Sequence, residues 1–330
     1  MSSNLKVMHE KDLQQISTQQ KVMKILVKVA LYAFLIVMAI IVVFPFYFMI
    51  LSSLKSYDVY SSLTEPVLYI DLRPSDLKIN PENKIMFERI VFSNYINAFN
   101  GTSLGRMFFN TVLVGIVSTI LSLIITVLSA FAFARLEFKG KNALFAALLA
   151  TMMIPGELFT ITNYATISKL QWTNTYQVLI VPFLVSVFYI YLLKQNFMQI
   201  PNELYLAAKV DGTKDIKYLW KVMIPLALPS LISITILKMM GAWNSYAWPN
   251  LVCKNEAYQL ITNGLRSAQF YVYDLQEGIG GQIIEIPRDG IVNYPVQMAA
   301  VTLISLPLFL VFIFLRKYIM KGVSRSGIKG

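Results

Sequence analysis

The chain has 330 residues, of which 56% are hydrophobic and only 14% charged, with a formal net charge of +11. A water-soluble domain carries about 25% charged residues, so the composition excludes an ordinary soluble fold and points to a bilayer as the solvent. The basic excess flanks apolar runs, which argues against nucleic acid as a partner and for contact with membrane lipid.

In chain order, residues 1–27 are expected to be a cytoplasmic tail, of which Met1–Gln20 is polar, Gln- and Ser-containing and without a periodic apolar face, and so mobile or lying on the surface. His9, the one histidine, falls there and reads as a solvated imidazole. Val29–Leu54 contains no Asp, Glu, Lys or Arg and is too long for a signal-peptide core, so it reads as a retained anchor. Charge-free runs recur at Met107–Ala134, Leu170–Leu193 and Gly290–Leu315. Asn142–Ser168 and Val222–Cys253 are interrupted by one charge each, Glu157 and Lys238.

The spacing predicts spans near 28–54, 107–134, 143–163, 176–196, 224–250 and 295–318, each close to the roughly 20 residues that cross hydrocarbon. The expected fold class is therefore an all-α integral membrane protein with about six transmembrane helices. Imposing these spans puts 18 of the 29 Lys and Arg residues on the side that holds both termini, and ten in the longer loops opposite. The positive-inside rule then makes both termini cytoplasmic and the location the cell membrane, crossed several times.

An enlarged external loop follows the first span, so that 28–92 forms one region, and 93–318 the transmembrane core with the cytoplasmic loop 197–225 and an external insertion at about 267–294, ahead of a cytoplasmic tail at 319–330. These outer loops carry turn formers, Pro66, Pro74, Pro81, Gly278, Gly280 and Gly281. Docking surface and tolerated insertion both fit them. Glu157, after Pro155 and Gly156, reads as a helix end level with the headgroups. Lys238 lies deeper, where a water-filled path and snorkelling along its own stem both fit.

The loop 197–225 has a helical pattern although it is too polar to cross. Pro201 suits a first turn, with Leu204, Ala207, Ala208 and Asp211 on one side. Gly212 supplies a left-handed stop, and Thr213 is expected to cap a second helix with an apolar stripe of Ile216, Leu219, Trp220 and Met223, ended by Pro225. Lys214, Lys217 and Lys221 stay wet. The small residues Ala207, Ala208 and Gly212 would admit a close partner backbone, although internal packing is the competing use of such a face.

Other classes fit less well. The single Cys253 allows neither an intramolecular disulfide nor a cysteine metal cluster. No G-x-x-x-x-G-K-[ST] phosphate loop occurs, so ATP hydrolysis would require another chain. No metal or cofactor set is visible, and paired His, Asp or Glu for an intramembrane enzyme are missing. An ion-coupled secondary transporter should carry several carboxylates within its spans, and only Glu157 comes near.

Leu206-Ala207-Ala208-Lys209-Val210-Asp211-Gly212, followed by Ile224-Pro225-Leu226 and Pro229, resembles the EAA loop of ABC importer permeases, with Leu206 where that family usually has Glu. Ser129-Ala130-Phe131-Ala132-Phe133-Ala134-Arg135-Leu136, Phe138-Lys139-Gly140, Met153-Ile154-Pro155, Pro201-Asn202-Glu203-Leu204, Trp243-Asn244 with Trp248-Pro249, and the tail 322–330 are similar to the carbohydrate-uptake branch, particularly its smaller maltose-type subunit. The resemblance implies a type I ABC importer-like permease. Its partners would be two ABC ATPase subunits, a second permease that is a different chain, and an external solute-binding protein. ATP and Mg2+ would bind the ATPase, with no cofactor on this chain. It also implies that Ala207, Ala208 and Gly212 make the close ATPase contact, that Glu203 and Asp211 add polar anchoring, that Pro225 begins the next span, and that the tail around Gly327 and Lys329 reaches the same interface.

For the solute path, the polar and aromatic residues within spans are Asn110, Thr111, Lys238, Trp243, Asn244 and Tyr246. Aromatic faces and amides suit a carbohydrate. Interfacial anchoring is the competing reading for Trp243, Tyr246 and Trp248, and interhelical bonding for Asn110. Lys238 opens the alternative of a glycerol phosphate or other anionic polyol.

Overall fold

A computed structural model describes residues 2–55, 57, 60, 92–268, 270–277 and 283–324. It contains two compact units, residues 1–91 and 92–330. In the first, α1 (Ser2–Ser53) is one continuous helix. The helix therefore begins far upstream of the expected tail boundary. Residues 2–44 contain neither Gly nor Pro and several each of Leu, Lys, Gln and Met, so helical propensity carries the backbone through a segment that has no amphipathic face. From Met23 to Tyr47 large apolar side chains are exposed all round, as for a helix solvated by lipid. The remainder of the expected external loop, up to Val91, lies outside the described residues apart from 55, 57 and 60.

The second unit is built on α3 (Leu104–Arg135), preceded by the short α2 (Ser93–Asn100). Gly115, Ser118, Thr119, Ser122, Thr126 and Ala130 of α3 are buried, whereas Phe109, Ile116, Ile120, Ile124 and Leu128 are exposed. This inversion is the membrane rule: small and hydroxyl side chains let helices approach closely, and apolar ones face the acyl chains. At Gly115 a Cβ would sit 3.0 Å from the sulfur of Met239, so only glycine admits that neighbour without displacement.

Among the described residues three helices are long and apolar enough to cross a membrane, Met23–Ser53, Leu104–Arg135 and Tyr294–Phe314, and counting each of three bent helix pairs as one span makes up to six. The first pair is α4 (Lys141–Thr151) and Gly156–Lys169, which includes α5 (Thr160–Lys169), bent by 84°. Pro155 has no N–H and disfavours helix at Ile154, so the helix must end there. Glu157 is exposed in the 3-10 turn that restarts the chain. The second pair is α6 (Tyr176–Ile180), tightening around Pro182, and α7 (Val187–Met198), bent by 45°. Ser186 caps α7 by accepting the Tyr189 N–H at 3.4 Å.

In the third pair, α9 (Asp215–Tyr218) passes through a π turn into α10 (Ile224–Leu226) and then, at an 80° bend, into α11 (Leu228–Trp243) and α12 (Ala247–Val252). Pro225 neither ends the preceding helix nor begins the next. The break falls at Ala227, because the ring of Pro229 would clash with the carbonyl of Pro225 four residues back. The expected straight spans 143–163, 176–196 and 224–250 are thus each broken.

Helix α13 (Ile261–Ser267) leads to an antiparallel hairpin of β1 (Tyr271–Glu277) and β2 (Ile283–Val292), with Leu275 opposite Glu285 and an irregularity between Tyr271 and Tyr273. The hairpin falls within the expected external insertion at 267–294. Helix α14 (Tyr294–Ser324) follows and extends through the first half of the expected tail, while Gly327 and Lys329 lie outside the described residues.

Candidate coupling loop and solute cavity

The loop 197–225 is clamped onto the bundle at one end of α3. Helix α8 (Asn202–Val210) starts after Pro201, carries Glu203 in its first turn and Lys209 in its last, and so matches its charges to the helix dipole. It stops at Gly212, whose φ is +69°. The Thr213 N–H bonds the Ala208 carbonyl at 2.8 Å and the Gly212 N–H bonds that of Lys209 at 3.0 Å, the two bonds of a Schellman cap. A residue with a Cβ would be strained at this φ.

Lys214, not Thr213, precedes α9, and no side chain caps that helix. Closure comes instead from Asp215, which accepts from the Tyr205 hydroxyl at 2.9 Å and pairs with the Lys209 ammonium at 2.7 Å. That hydrogen bond raises the Lys209 pKa above its ordinary value. Tyr205 also packs on Tyr218, ring centroids 5.1 Å apart. The two short helices therefore form one stiff unit.

The faces of this unit divide sharply. Tyr218, Leu219 and Met223 are buried against Ala130 and Phe131 of α3 and against Leu193 and Phe197 of α7, with Tyr205 and Ala208 packed on that cluster. Glu203, Leu206, Ala207, Val210, Asp211 and Gly212 are exposed, Val210 at 88%. Ile216 and Trp220 are exposed too, so the expected stripe of four splits, its other two members, Leu219 and Met223, turning inward. Ala208 likewise faces the core, while Ala207 and Gly212 lie on the open face. Leu206 shares that face with Glu203, one turn away. Lys214, Lys217 and Lys221 are exposed as expected, and so is Pro225.

A cavity of about 340 Å³ lies where α3, the α6–α7 break, α11 and α12 meet, lined among others by Ser118, Phe183, Tyr189, Lys238, Ser245 and Trp248. Its cation is Lys238, which donates to the Phe183 carbonyl at 2.5 Å, an oxygen left free by the helix break. Phe183 and Trp248 meet edge to face at 5.8 Å, and the indole N–H is held by the Val178 carbonyl at 3.0 Å. Aromatic rings with four serine and tyrosine hydroxyls, of Ser118, Ser186, Tyr189 and Ser245, and one ammonium can bind an oxygen-rich solute.

Of the six sequence-predicted path residues, only Lys238 lines this cavity. Asn110 is fully buried and donates to the carbonyls of Ala257 and Gln259, both at 2.9 Å, while accepting from Tyr176. Thr111 donates to the Met107 carbonyl and accepts the Ile261 N–H at 2.9 Å. Both tie the segment 256–261 to α3. Trp243 is buried with Leu104, Ile261 and Ile304, edge-on to Phe108. Asn244 is exposed at the end of α11, and Tyr246 lies under Arg266, 5.4 Å from its guanidinium carbon. Tyr189, Ser118 and Ser245 were missed because a lone hydroxyl in an apolar run gives no facing signal, whereas Trp248 was visible but read as interfacial.

A bundle broken at three spans can open and close around such a cavity, so the class that the architecture defines is a membrane transport subunit. Comparison with known proteins narrows it: the chain belongs to the binding-protein-dependent transport system inner membrane component family, whose model matches residues 122–325. It is 27% identical to the arabinooligosaccharides transport system permease protein AraQ of Bacillus subtilis over 92% of this chain and 96% of that protein. It is 26% identical to the sn-glycerol-3-phosphate transport system permease protein UgpE of Pectobacterium atrosepticum over 69% of this chain and 75% of that protein. A chain in the crystal structure of a bacterial ABC transporter involved in the import of the acidic polysaccharide alginate has the same fold, with a TM-score of 0.71 at 21% identity over 88% of this chain and 95% of that one. The chain is thus an ABC importer permease of the cell membrane, a transport component and not an enzyme.

Proposed function

We propose that this permease forms half of the translocation path of an ATP-driven carbohydrate importer, pairing with a different permease chain above two ATPase subunits. ATP and Mg2+ bind in the ATPases, and an external solute-binding protein delivers the solute. Six crossings with both termini in the cytoplasm place the loop 197–225 on the ATPase side. The observation that carries the reading is the exposed face Glu203, Leu206, Ala207, Val210, Asp211 and Gly212 on a stiffly braced helix. Such a face is costly to leave in water and is shaped for a groove in a partner. Carbohydrate is supported by the aromatic and hydroxyl lining of the cavity and by the kinship with an arabinooligosaccharide permease.

The test is gentle solubilisation of the tagged chain from its native membrane, with mass spectrometry of what copurifies. A stoichiometric ATPase and a second permease are expected. A chain that emerges alone, and moves solute down an ion gradient without ATP, refutes the reading in favour of a secondary transporter. The Lys238 ammonium in the cavity favours one second reading, an anionic polyol such as a glycerol phosphate. Lys238→Gln should then impair uptake of the charged solute selectively, and equal effects on charged and neutral solutes reject that alternative.

A further inference from the structure

Arg135, the last residue of α3, reaches across the junction between α7 and α8. Its Nη2 donates to the carbonyls of Phe197 at 3.0 Å and Ile200 at 2.5 Å, and its Nη1 to Oδ1 of Asn202 at 3.4 Å. Phe197 lies in the last turn of α7, where the dipole is negative, and Ile200 two residues past the end of that helix at Met198. Asn202 begins α8. One planar fork therefore joins three helices, a geometry that a lysine point charge does not reproduce.

The other side-chain ties of α8 stay within the loop: Tyr205 and Lys209 both engage Asp215. Among the described residues, the bond that the Arg135 Nη1 donates to Asn202 Oδ1 is the hydrogen bond between an α8 side chain and a long helix. The inner part of the joint is buried, with Phe197 fully buried and Tyr218 1% exposed, while Asn202 at its outer edge is exposed. Inside that shell the Arg135 Nε and the Tyr218 hydroxyl have no hydrogen-bond partner. Charge-assisted bonds are strong and directional, so a displacement of α8 bears on the end of α3 through the fork.

We propose that Arg135 is a positioning residue that delivers movement of the α8–α9 unit to α3, its guanidinium adding a directional link to the packing of Tyr218, Leu219 and Met223 on α3 and α7 through which the ATP-driven stroke enters the spans. The proposal rests on the reading of the chain as an ATPase-coupled permease. The experiment uses the complete transporter, with its ATPases and second permease, reconstituted in vesicles that carry wild type, Arg135→Met, Arg135→Lys or Asn202→Ala. Initial solute uptake and ATP hydrolysis are measured in the same vesicles.

For Arg135→Met uptake is expected to fall about tenfold, the scale of one lost charge-assisted bond, while hydrolysis stays within about twofold. Arg135→Lys should fall between, because an ammonium can hold the carbonyls without the fork, and Asn202→Ala should shift the ratio less in the same direction. If Arg135→Met fails to accumulate, Arg135→Lys decides. Unchanged uptake per ATP in the deciding variant, whether both rates fall in proportion or neither changes, overturns the proposal. A wild-type complex without ATP-coupled uptake instead rejects the permease reading on which it rests.

Discussion

Replacing Asn110 by alanine separates the framework from the solute path. The side chain is fully buried and uses both amide hydrogens, to Ala257 and Gln259 at 2.9 Å each, while its oxygen accepts from Tyr176 at 2.8 Å. Alanine leaves two carbonyls and a hydroxyl short of a partner. At about 1 kcal/mol for each bond the loss is about 3 kcal/mol, before any cost of the cavity. Thermal unfolding of the purified protein, followed by tryptophan fluorescence, should show a midpoint several degrees lower. Transport by the surviving fraction should keep its KM. An unaltered midpoint with a KM raised about tenfold, equivalent to 1.4 kcal/mol of lost solute binding, would refute the assignment and return Asn110 to the path.

Gly212→Val should uncouple uptake from ATP hydrolysis while leaving the chain inserted. The site has no neighbour within 4 Å of a built Cβ, so the cost is backbone strain at φ +69°, about 1–3 kcal/mol. Gly212→Asn should be milder because asparagine tolerates that conformation, and normal uptake in the valine variant would sink the idea. At Gly264 a Cβ would sit 2.4 Å from the sulfur of Met107. Gly264→Ala should therefore lower thermal stability, and adding Met107→Ala should recover part of the loss, with strict additivity of the two effects as the contrary result.

Much of the membrane architecture was legible because charge-free runs report directly on lipid. Where those runs break was not, although the causes are local. Pro155, Pro182 and the pair Pro225 and Pro229 sit at or beside all three breaks, yet spans tolerate proline when neighbours satisfy the freed groups, so the residue alone does not announce a bend. Gly212 was readable because a left-handed stop leaves few alternatives to glycine. Thr213 was misread as a cap because Asp215, two residues on, does the bracing through Tyr205 and Lys209. The path residues were the least legible. A buried amide in a span looks the same whether it meets a solute or the backbone of residues 257 and 259, and sequence does not show which way it faces.

The uninterrupted course of α3 has a thermodynamic consequence. At 1.5 Å per residue its 32 residues make a rod of about 48 Å. Arg135 grips the loop helices at one end, and Asn110 and Thr111 hold residues 257–261 at the other. A rod without a hinge cannot relax strain midway, so both ends belong to one equilibrium. Linkage is reciprocal: under the proposed coupling, whatever free energy movement at the Arg135 end contributes to rearranging residues 257–261, a ligand docked on those residues returns in equal measure to the loop.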